Sequence, residues 1–312
     1  MTSTLHRRAA IGLIGTLAIG SALAQSAPTA PVRVGSKIDT EGKLLGNLIV
    51  LALEAKGIKT ENKASLGNTQ VMRGAITSGA IDIYPEYTGN GAFIFSEEKS
   101  PVWKNAQSGF ERVKVLDYAQ HKIVWLDAAP ANNAWSIAVR QDVANANKLA
   151  TLGDLAQWVG TPAGRQFKLA ASAEFVERPD ALPAFQAAYG FKLKPEQLLV
   201  LAGGDTAVTI KAAADKTSGV NAAMAYGTDG ALSTLGLLLL VDMKNVQPVY
   251  SPAPIVRDAV LLQNPGIRTA LAPVFKLLDG PTLRMLNARI QLEGVDAKKV
   301  AADFLKSKGL LK

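Results

Sequence analysis

Short apolar runs that resemble strands alternate with helix-like segments along most of this 312-residue chain. Near the N-terminus, a strand-like run at Val32–Ser36 is followed by a helical segment ended by Gly57, a strand near Ile58–Lys63, a helix from Thr69 to Ser78 and the strand Ile81–Tyr84. The alternation continues to about Tyr226, and the chain is mostly helical from Val256 to Leu310. Such alternation is typical of parallel βα units rather than of a sandwich, so the sequence predicts an α/β fold.

Two turn-rich segments, Ala128–Asn133 and Gly227–Gly230, are predicted to be crossings between two lobes. Two crossings make the first lobe discontinuous, with residues 31–130 plus 231–312 in lobe 1 and residues 131–230 in lobe 2. Ligands of open α/β sheets bind beyond the carboxyl ends of the strands, so we expect a ligand cleft between the lobes.

The N-terminus predicts export. His6, Arg7 and Arg8 precede an apolar run, Ala9–Ile19, and Ala22-Leu23-Ala24 supplies the small-residue pattern of a cleavage site. The apolar run is too short to span a membrane. We therefore predict a signal peptide at residues 1–24 and a periplasmic protein. The bare arginine pair leaves both general secretion and twin-arginine export open and favours the former.

The composition argues against catalysis and against cofactors. The chain has no cysteine and two histidines, of which only His121 remains after the leader, so thiolate metal sites are excluded and very little is left for another metal site or a Ser-His-Asp triad. Neither a cofactor nor a metal is predicted. The formal charge of +8 is scattered and lacks the basic, aromatic-rich runs of a nucleic-acid interface, so no nucleic acid is predicted as a partner.

Three aromatic residues stand at predicted strand ends or crossings: Tyr87, Trp135 and Tyr226. A quaternary ammonium group has no N–H to donate and is recognised mainly by cation–π attraction to aromatic faces. Three rings at cleft positions therefore predict an aromatic cage, although a single tyrosine of this kind is more often a core residue.

Four segments carry a family resemblance: VGSKIDTEG (34–42), YPEYTGNG (84–91), SAEFVERPD (172–180) and AYGTDG (225–230). Together they resemble the osmoprotectant-binding proteins of ABC importers, with the closest similarity to the OsmF/YehZ branch, over essentially the whole chain after the leader. The resemblance implies the α/β, two-lobed periplasmic-binding-protein fold of type II, with the ligand cleft between the lobes. It also implies a non-catalytic substrate-binding protein that captures glycine betaine, choline or a similar compound. It also implies an ABC permease and ATPase at the inner membrane as partners, and we expect a monomer.

The resemblance assigns candidate roles to individual residues. Tyr87, Trp135 and Tyr226 match cage positions, and Arg178 matches an arginine that holds a ligand carboxylate, its alternative being a surface arginine among acidic neighbours. Relatives often carry a tyrosine where this chain has Ile210. The absence of one aromatic ring from the cage would weaken the binding of a cation by about 0.5 to 2 kcal/mol.

Further polar candidates lie on predicted loops. Lys37, Asp39 and Thr40 sit between the first strand and helix, where they are candidates to close over the ligand. Helix capping explains Asp39 and Thr40 equally well. Thr206 begins a helix whose free N–H groups can receive a carboxylate, but the segment is more simply explained by Asp205 as the N-cap of that helix. Asp229 lies in the predicted second crossing and can serve the hinge instead of the ligand.

Two other classes of protein compete with this interpretation. An enzyme would need a phosphate loop, a triad or a metal cluster, none of which the sequence contains. A binding protein of the same fold for an amino acid or another small zwitterion is the alternative that remains open, because it would pair acidic and basic residues with one aromatic wall.

Overall fold

The strand-like runs of the sequence assemble into two five-stranded sheets within the part of the chain that the computed structural model describes, residues 1–2, 30–202 and 204–312. The strands are β1 (Val32–Lys37), β2 (Thr60–Gly67), β3 (Ile83–Tyr87), β4 (Ile123–Trp125), β5 (Trp135–Arg140), β6 (Leu169–Ser172), β7 (Leu198–Leu201), β8 (Ala222–Tyr226), β9 (Leu237–Leu239) and β10 (Pro252–Arg257). The first sheet has the order β2-β1-β3-β10-β4 and the second β7-β6-β8-β5-β9.

Helices connect and cover these strands, which confirms the predicted α/β class. They are α1 (Thr40–Glu54), α2 (Thr69–Thr77), α3 (Asn90–Ile94), α4 (Ala106–His121), α5 (Gln141–Asn147), α6 (Leu152–Val159), α7 (Ala173–Glu177), α8 (Leu182–Tyr189), α9 (Thr206–Ala214), α10 (Asp258–Gln263), α11 (Gly266–Phe275), α12 (Gly280–Gln291) and α13 (Ala297–Ser307). Val256, where the sequence analysis begins the C-terminal helical stretch, lies in β10, so the helices begin only at Asp258.

The strand directions are mixed. β1 is parallel to β2 and β3, and β6 is parallel to β7 and β8, as consecutive βα units require. β10 is antiparallel to β3 and β4, and β5 is antiparallel to β8 and β9. Each of these two strands follows a passage of the chain from the other sheet. No crossover helix from a neighbouring strand therefore sets its direction.

The chain passes between the sheets twice. The first passage, residues 126–134, includes the predicted crossing at Ala128–Asn133. Strand β9 still pairs with β5 in the second sheet, so the return passage is residues 240–251. It lies later in the chain than Gly227–Gly230, where the sequence analysis places it. The second sheet thus extends past residue 230.

Helix α1 shows how local sequence positions a strand end. The Asp39 carboxylate accepts a hydrogen bond from the Gly42 N–H at 2.8 Å and starts the helix. Leu44 and Leu48 are fully buried beneath it. A Cβ on Gly46 would stand 2.7 Å from the Ser36 Cβ, so glycine lets α1 approach β1 closely. The loop that joins β1 to α1 is thereby fixed against the sheet.

Within the described residues no helix is long and apolar enough to cross a membrane. The predicted signal peptide at residues 1–24 lies, apart from residues 1–2, outside the described residues.

Candidate ligand-binding site

One cavity is lined by side chains from both sheets. Lys37, Tyr87 and Tyr226 are the last residues of β1, β3 and β8, and Trp135 is the first residue of β5. The full lining is Lys37, Ile38, Asp39, Gly67, Asn68, Thr69, Tyr87, Asn90, Asn133, Trp135, Glu174, Gly204, Tyr226 and Tyr250.

Strand register explains why these aromatic residues meet. Trp135 is paired with Tyr226 across the antiparallel strands β5 and β8, so the start of one strand lies beside the end of the other. In the first sheet Tyr87 is paired with Pro252 of β10. Tyr250, two residues before Pro252, therefore reaches the same edge. The antiparallel strands bring rings together that parallel pairing would separate.

Trp135 is the centre of the aromatic cluster. Its ring lies 6.2 Å from that of Tyr226 with an interplanar angle of 18°, and 5.9 Å from that of Tyr250 with an angle of 58°. Phe175 packs against it edge-on, with the ring centroids 5.7 Å apart. The tyrosine hydroxyls of the lining remain protonated, because burial raises the pKa of Tyr226 and Tyr250 well above the ordinary value. The cluster therefore presents neutral π faces.

The indole of Trp135 also carries an unused donor. Its Nε1–H is buried and makes no hydrogen bond of normal distance and angle within the described residues. A buried donor without an acceptor costs free energy. A ligand with a hydroxyl or carboxylate oxygen could accept this hydrogen bond.

A lysine stands beside the aromatic residues. The Lys37 Nζ lies 4.9 Å from the Tyr87 ring centroid and 2.7 Å from Glu86 Oε1. Burial alone would raise the pKa of Glu86, but the charge and hydrogen bond of Lys37, with hydrogen bonds from the Tyr87 and Asn90 N–H groups, hold that pKa below its usual range. Glu86 is thus ionised, and Lys37 is held as its counter-ion at the cavity.

Arg178 is buried next to the cavity and is fully engaged. Its Nε and Nη2 donate to the two oxygens of Asp180 at 2.8 and 2.7 Å. Its Nη1 donates to Asn90 at 2.9 Å and to Glu174 at 3.0 Å, and both of these residues line the cavity. The guanidinium carbon is 4.5 Å from the Trp135 ring. Arg178 therefore joins the polar and aromatic parts of the lining.

Asp39 combines the two roles that the sequence left open. It lines the cavity and caps α1 through the Gly42 N–H. Burial raises its pKa, partly offset by the hydrogen bond from Gly42 and by the charge of Lys37.

The remaining predicted residues lie outside the lining. Thr40 donates to Asp205 at 3.2 Å, and Thr206 donates to Asp229 at 2.8 Å. Asp229 also accepts the Tyr226 N–H at 2.7 Å and so supports the end of β8. These three predicted residues are buried and contact lining residues or their neighbours rather than the cavity itself.

Sequence reasoning missed Tyr250, which sits on the return passage. It also did not select Asn90 and Glu174, which fall within the quoted motifs, or Asn133, which ends the predicted first crossing. Ile210, expected to leave a wall of the cage missing, is instead fully buried in the apolar core beneath the second sheet. The fourth ring of the cavity is that of Tyr250.

Two sheets joined by two passages, with aromatic and charged side chains from both converging on one cavity, define the periplasmic-binding-protein fold. Comparison with known proteins agrees. Residues 30–307 match the OpuAC model, the substrate binding domain of ABC-type glycine betaine transport systems, and the chain belongs to this family.

Individual relatives support the assignment. The chain is 64% identical to the glycine betaine-binding protein YehZ of Escherichia coli over 282 residues, covering 90% of this chain and 92% of that protein. A glycine-betaine-binding protein of Pseudomonas aeruginosa is 31% identical over 311 residues, covering 98% of this chain and 96% of that protein. The structure of apo YehZ from Escherichia coli superposes with a TM-score of 0.66 at 63% identity, covering 90% of this chain and all of that one.

Proposed function

We propose that this chain captures a quaternary-ammonium osmoprotectant, such as glycine betaine or choline, as the substrate-binding component of an ABC importer. The observation that carries the proposal is the convergence of Tyr87, Trp135, Tyr226 and Tyr250 on one cavity. Neutral aromatic faces attract a trimethylammonium group, which water solvates poorly and which has no N–H to donate.

The polar side chains of the cavity complement the rest of such a ligand. Asp39 and Glu174 supply negative charge for the ammonium group, and Lys37 in the lining and Arg178 next to it supply positive charge for a carboxylate. The Nε1–H of Trp135, which makes no hydrogen bond of normal distance and angle within the described residues, supplies a donor for a carboxylate or hydroxyl oxygen. The trimethylammonium group of glycine betaine can contact the aromatic rings while its carboxylate contacts the positive charges. Choline can contact the same rings, and its hydroxyl can accept the Trp135 hydrogen bond.

The remaining parts of the proposal concern the setting. We propose a monomeric, non-catalytic protein that is exported to the periplasm and delivers its ligand to a permease with an ATPase subunit. The two sheets and their helices form two lobes, one on each side of the cavity. In this proposal the second lobe extends past residue 230, because β9 pairs with β5.

Ligand titration of the purified chain tests the proposal. Intrinsic fluorescence and calorimetry with glycine betaine, choline, carnitine, ectoine and amino acids should show saturable binding of the trimethylammonium compounds. Trp135→Ala should weaken glycine betaine and choline together, because both present the same cation to the ring. The expected loss is about 0.5 to 2 kcal/mol in binding free energy.

Two controls make the test specific. Trp158 is also buried, and its Nε1 has no hydrogen-bond partner among the described residues. It packs on Phe167, away from the cavity lining, so Trp158→Phe should leave affinity unchanged. The neutral carbon analogue of choline, in which a tert-butyl group replaces trimethylammonium, should bind much more weakly. Binding of amino acids in preference to trimethylammonium compounds would move the assignment to the zwitterion-binding alternative.

A further inference from the structure

Glu41 lies behind the cavity wall, in the first turn of α1, and only 4% of its surface is exposed. Its Oε1 accepts a hydrogen bond from the Tyr87 hydroxyl at 2.9 Å. Its Oε2 accepts one from Asn287 Nδ2 at 2.7 Å. No described Lys, Arg or His forms an ion pair with it. A buried carboxylate is thus aimed at the hydroxyl of a cavity tyrosine.

This contact acts on Tyr87 in two ways. A phenol that donates to a fixed acceptor has its ring orientation fixed as well. Donation to a carboxylate also polarises the phenol and increases the negative charge of its ring face, which strengthens attraction for a cation. Both effects depend on the charge of Glu41 more than on its shape.

We propose that Glu41 is a positioning residue for the ligand cation, which orients Tyr87 and increases the attraction of its ring through the hydroxyl–carboxylate hydrogen bond. The inference rests on the proposed function, because it requires a cation in the cavity. Glu41 does not line the cavity and acts through Tyr87.

The surroundings make this charge sensitive to pH. Burial raises the pKa of Glu41 to about 7, despite hydrogen bonds from Thr228, Asn287 and Tyr87 that lower it, and the charge of Asp39 adds to the increase. The charged groups on the elements around it include Arg33, Lys37 and Glu86 on the first sheet, Lys43 on α1, Asp229 on the loop after β8, Asp205 before α9, and Arg284 and Arg289 on α12. A bound cation favours the ionised carboxylate, so affinity should rise as pH increases through about 7.

A double-mutant cycle tests the link. Choline and glycine betaine are titrated calorimetrically into the wild type, Glu41→Gln, Tyr87→Phe and the double variant. Glu41→Gln should weaken both ligands by about threefold to tenfold, a range set by the usual strength of cation–π contacts. In the Tyr87→Phe background the same change should have less than half of that effect on the binding free energy.

The pH dependence of ligand affinity is a second test, because a purely structural role of Glu41 would not produce it. Affinity of the wild type should increase between about pH 6 and pH 8, and the increase should be smaller in Glu41→Gln. If Glu41→Gln folds poorly, Tyr87→Phe provides the same test with Glu41 intact. Its ligand affinity should also increase less with pH than that of the wild type. Glu54→Gln, an exposed change at the other end of α1, should match the wild type throughout.

The outcomes separate this inference from the proposed function. A wild type that binds neither ligand overturns the proposed function and the inference with it. A wild type that binds, with Glu41→Gln binding equally well at every pH, overturns the inference alone. A third outcome is that Glu41→Gln reduces ligand affinity equally in the wild-type and Tyr87→Phe backgrounds. That result would show that Glu41 does not act through Tyr87 and would overturn the inference.

Discussion

Arg178 illustrates how one buried residue can serve both the fold and the ligand. Its five N–H donors are shared between Asp180, Glu174, Asn90 and the Tyr250 hydroxyl, and the last three of these residues line the cavity. A ligand carboxylate that reaches Nη1 would compete with Asn90 and Glu174 for the same donor. The carboxylate-binding role implied by the family resemblance therefore requires a local exchange of partners.

Replacement of Arg178 should separate the two ligands. Arg178→Ala is expected to weaken glycine betaine by about 1.5 to 3 kcal/mol, the usual contribution of a charge-assisted hydrogen bond, and choline much less, because a hydroxyl needs no positive counter-charge. Parallel titrations measure this difference, with circular dichroism to confirm folding. Arg289→Ala removes an exposed ion pair with Asp303 and should affect neither ligand. Equal losses for both ligands would assign Arg178 a structural role only.

The raised pKa of Glu41 also predicts a pH dependence of stability. The folded state binds this proton more tightly than the unfolded state, because the pKa moves from an ordinary 4.5 to about 7. The stabilising contribution of the protonated group is present below about pH 4.5 and is lost as pH rises to about 7. The wild type should therefore lose stability relative to Glu41→Gln over this range, by on the order of 3 kcal/mol at most. Urea unfolding of both proteins across the range measures the difference, and parallel pH curves would contradict it.

At the scale of elements, the start of α1 is where helix capping and the proposed ligand site coincide. Asp39 caps the helix and lines the cavity. The local sequence needs only a capping side chain there, whereas the cavity gains from a negative charge near a bound cation. One residue meets both requirements because the loop after β1 opens at the sheet edge where the aromatic residues meet.

Two substitutions distinguish these roles of Asp39. Asp39→Asn keeps a capping oxygen and removes the charge, so it should leave stability nearly unchanged and weaken cationic ligands. Asp39→Ala removes both and should also lower the free energy of unfolding by about 1 kcal/mol. Denaturant unfolding and ligand titration of the two variants provide the comparison. If Asp39→Asn bound ligand as well as the wild type, the charge would have no part in binding.

At the scale of the molecule, the two passages lie against each other beside the cavity. The Asn133 N–H donates to the Tyr250 carbonyl at 2.9 Å, and the Tyr250 N–H donates to the Asn132 side chain at 2.8 Å. Residues Asn133 and Tyr250 both line the cavity. The segments that join the two sheets are thus part of the site, so a bound ligand contacts both sheets and both passages.

A ligand held by both sheets should stabilise the whole folded chain. At a concentration about 100 times its dissociation constant, glycine betaine should add about 2.7 kcal/mol to the free energy of unfolding and raise Tm by about 5 °C. Differential scanning calorimetry of the wild type and Trp135→Ala at equal ligand concentration measures the shift, which should be smaller in the variant. An unchanged Tm at saturating ligand would show that the ligand does not bind the folded chain in preference to the unfolded chain.

Much of the fold was predictable from the sequence, because it rests on short-range patterns. Strand β1 and helix α2 begin at the predicted residues and end within one residue of the predicted bounds. Tyr87, Trp135 and Tyr226 could be selected because each stands at a strand end or beside a turn. A strand end is a local property, and the edge of an α/β sheet is where ligands bind.

The tertiary structure alone decided the rest, because it depends on contacts between distant residues. Tyr250 has no local signal: it joins the cavity only because β9 pairs with β5, which moves the return passage from 227–230 to 240–251, and because β10 pairs with β3. Ile210 is buried in the core and Glu41 is bound to Tyr87 for the same kind of reason. The sequence by itself determined which segments form strands and helices and which aromatic residues stand at their ends. Strand pairing over long separations determined which of the other side chains reach the cavity.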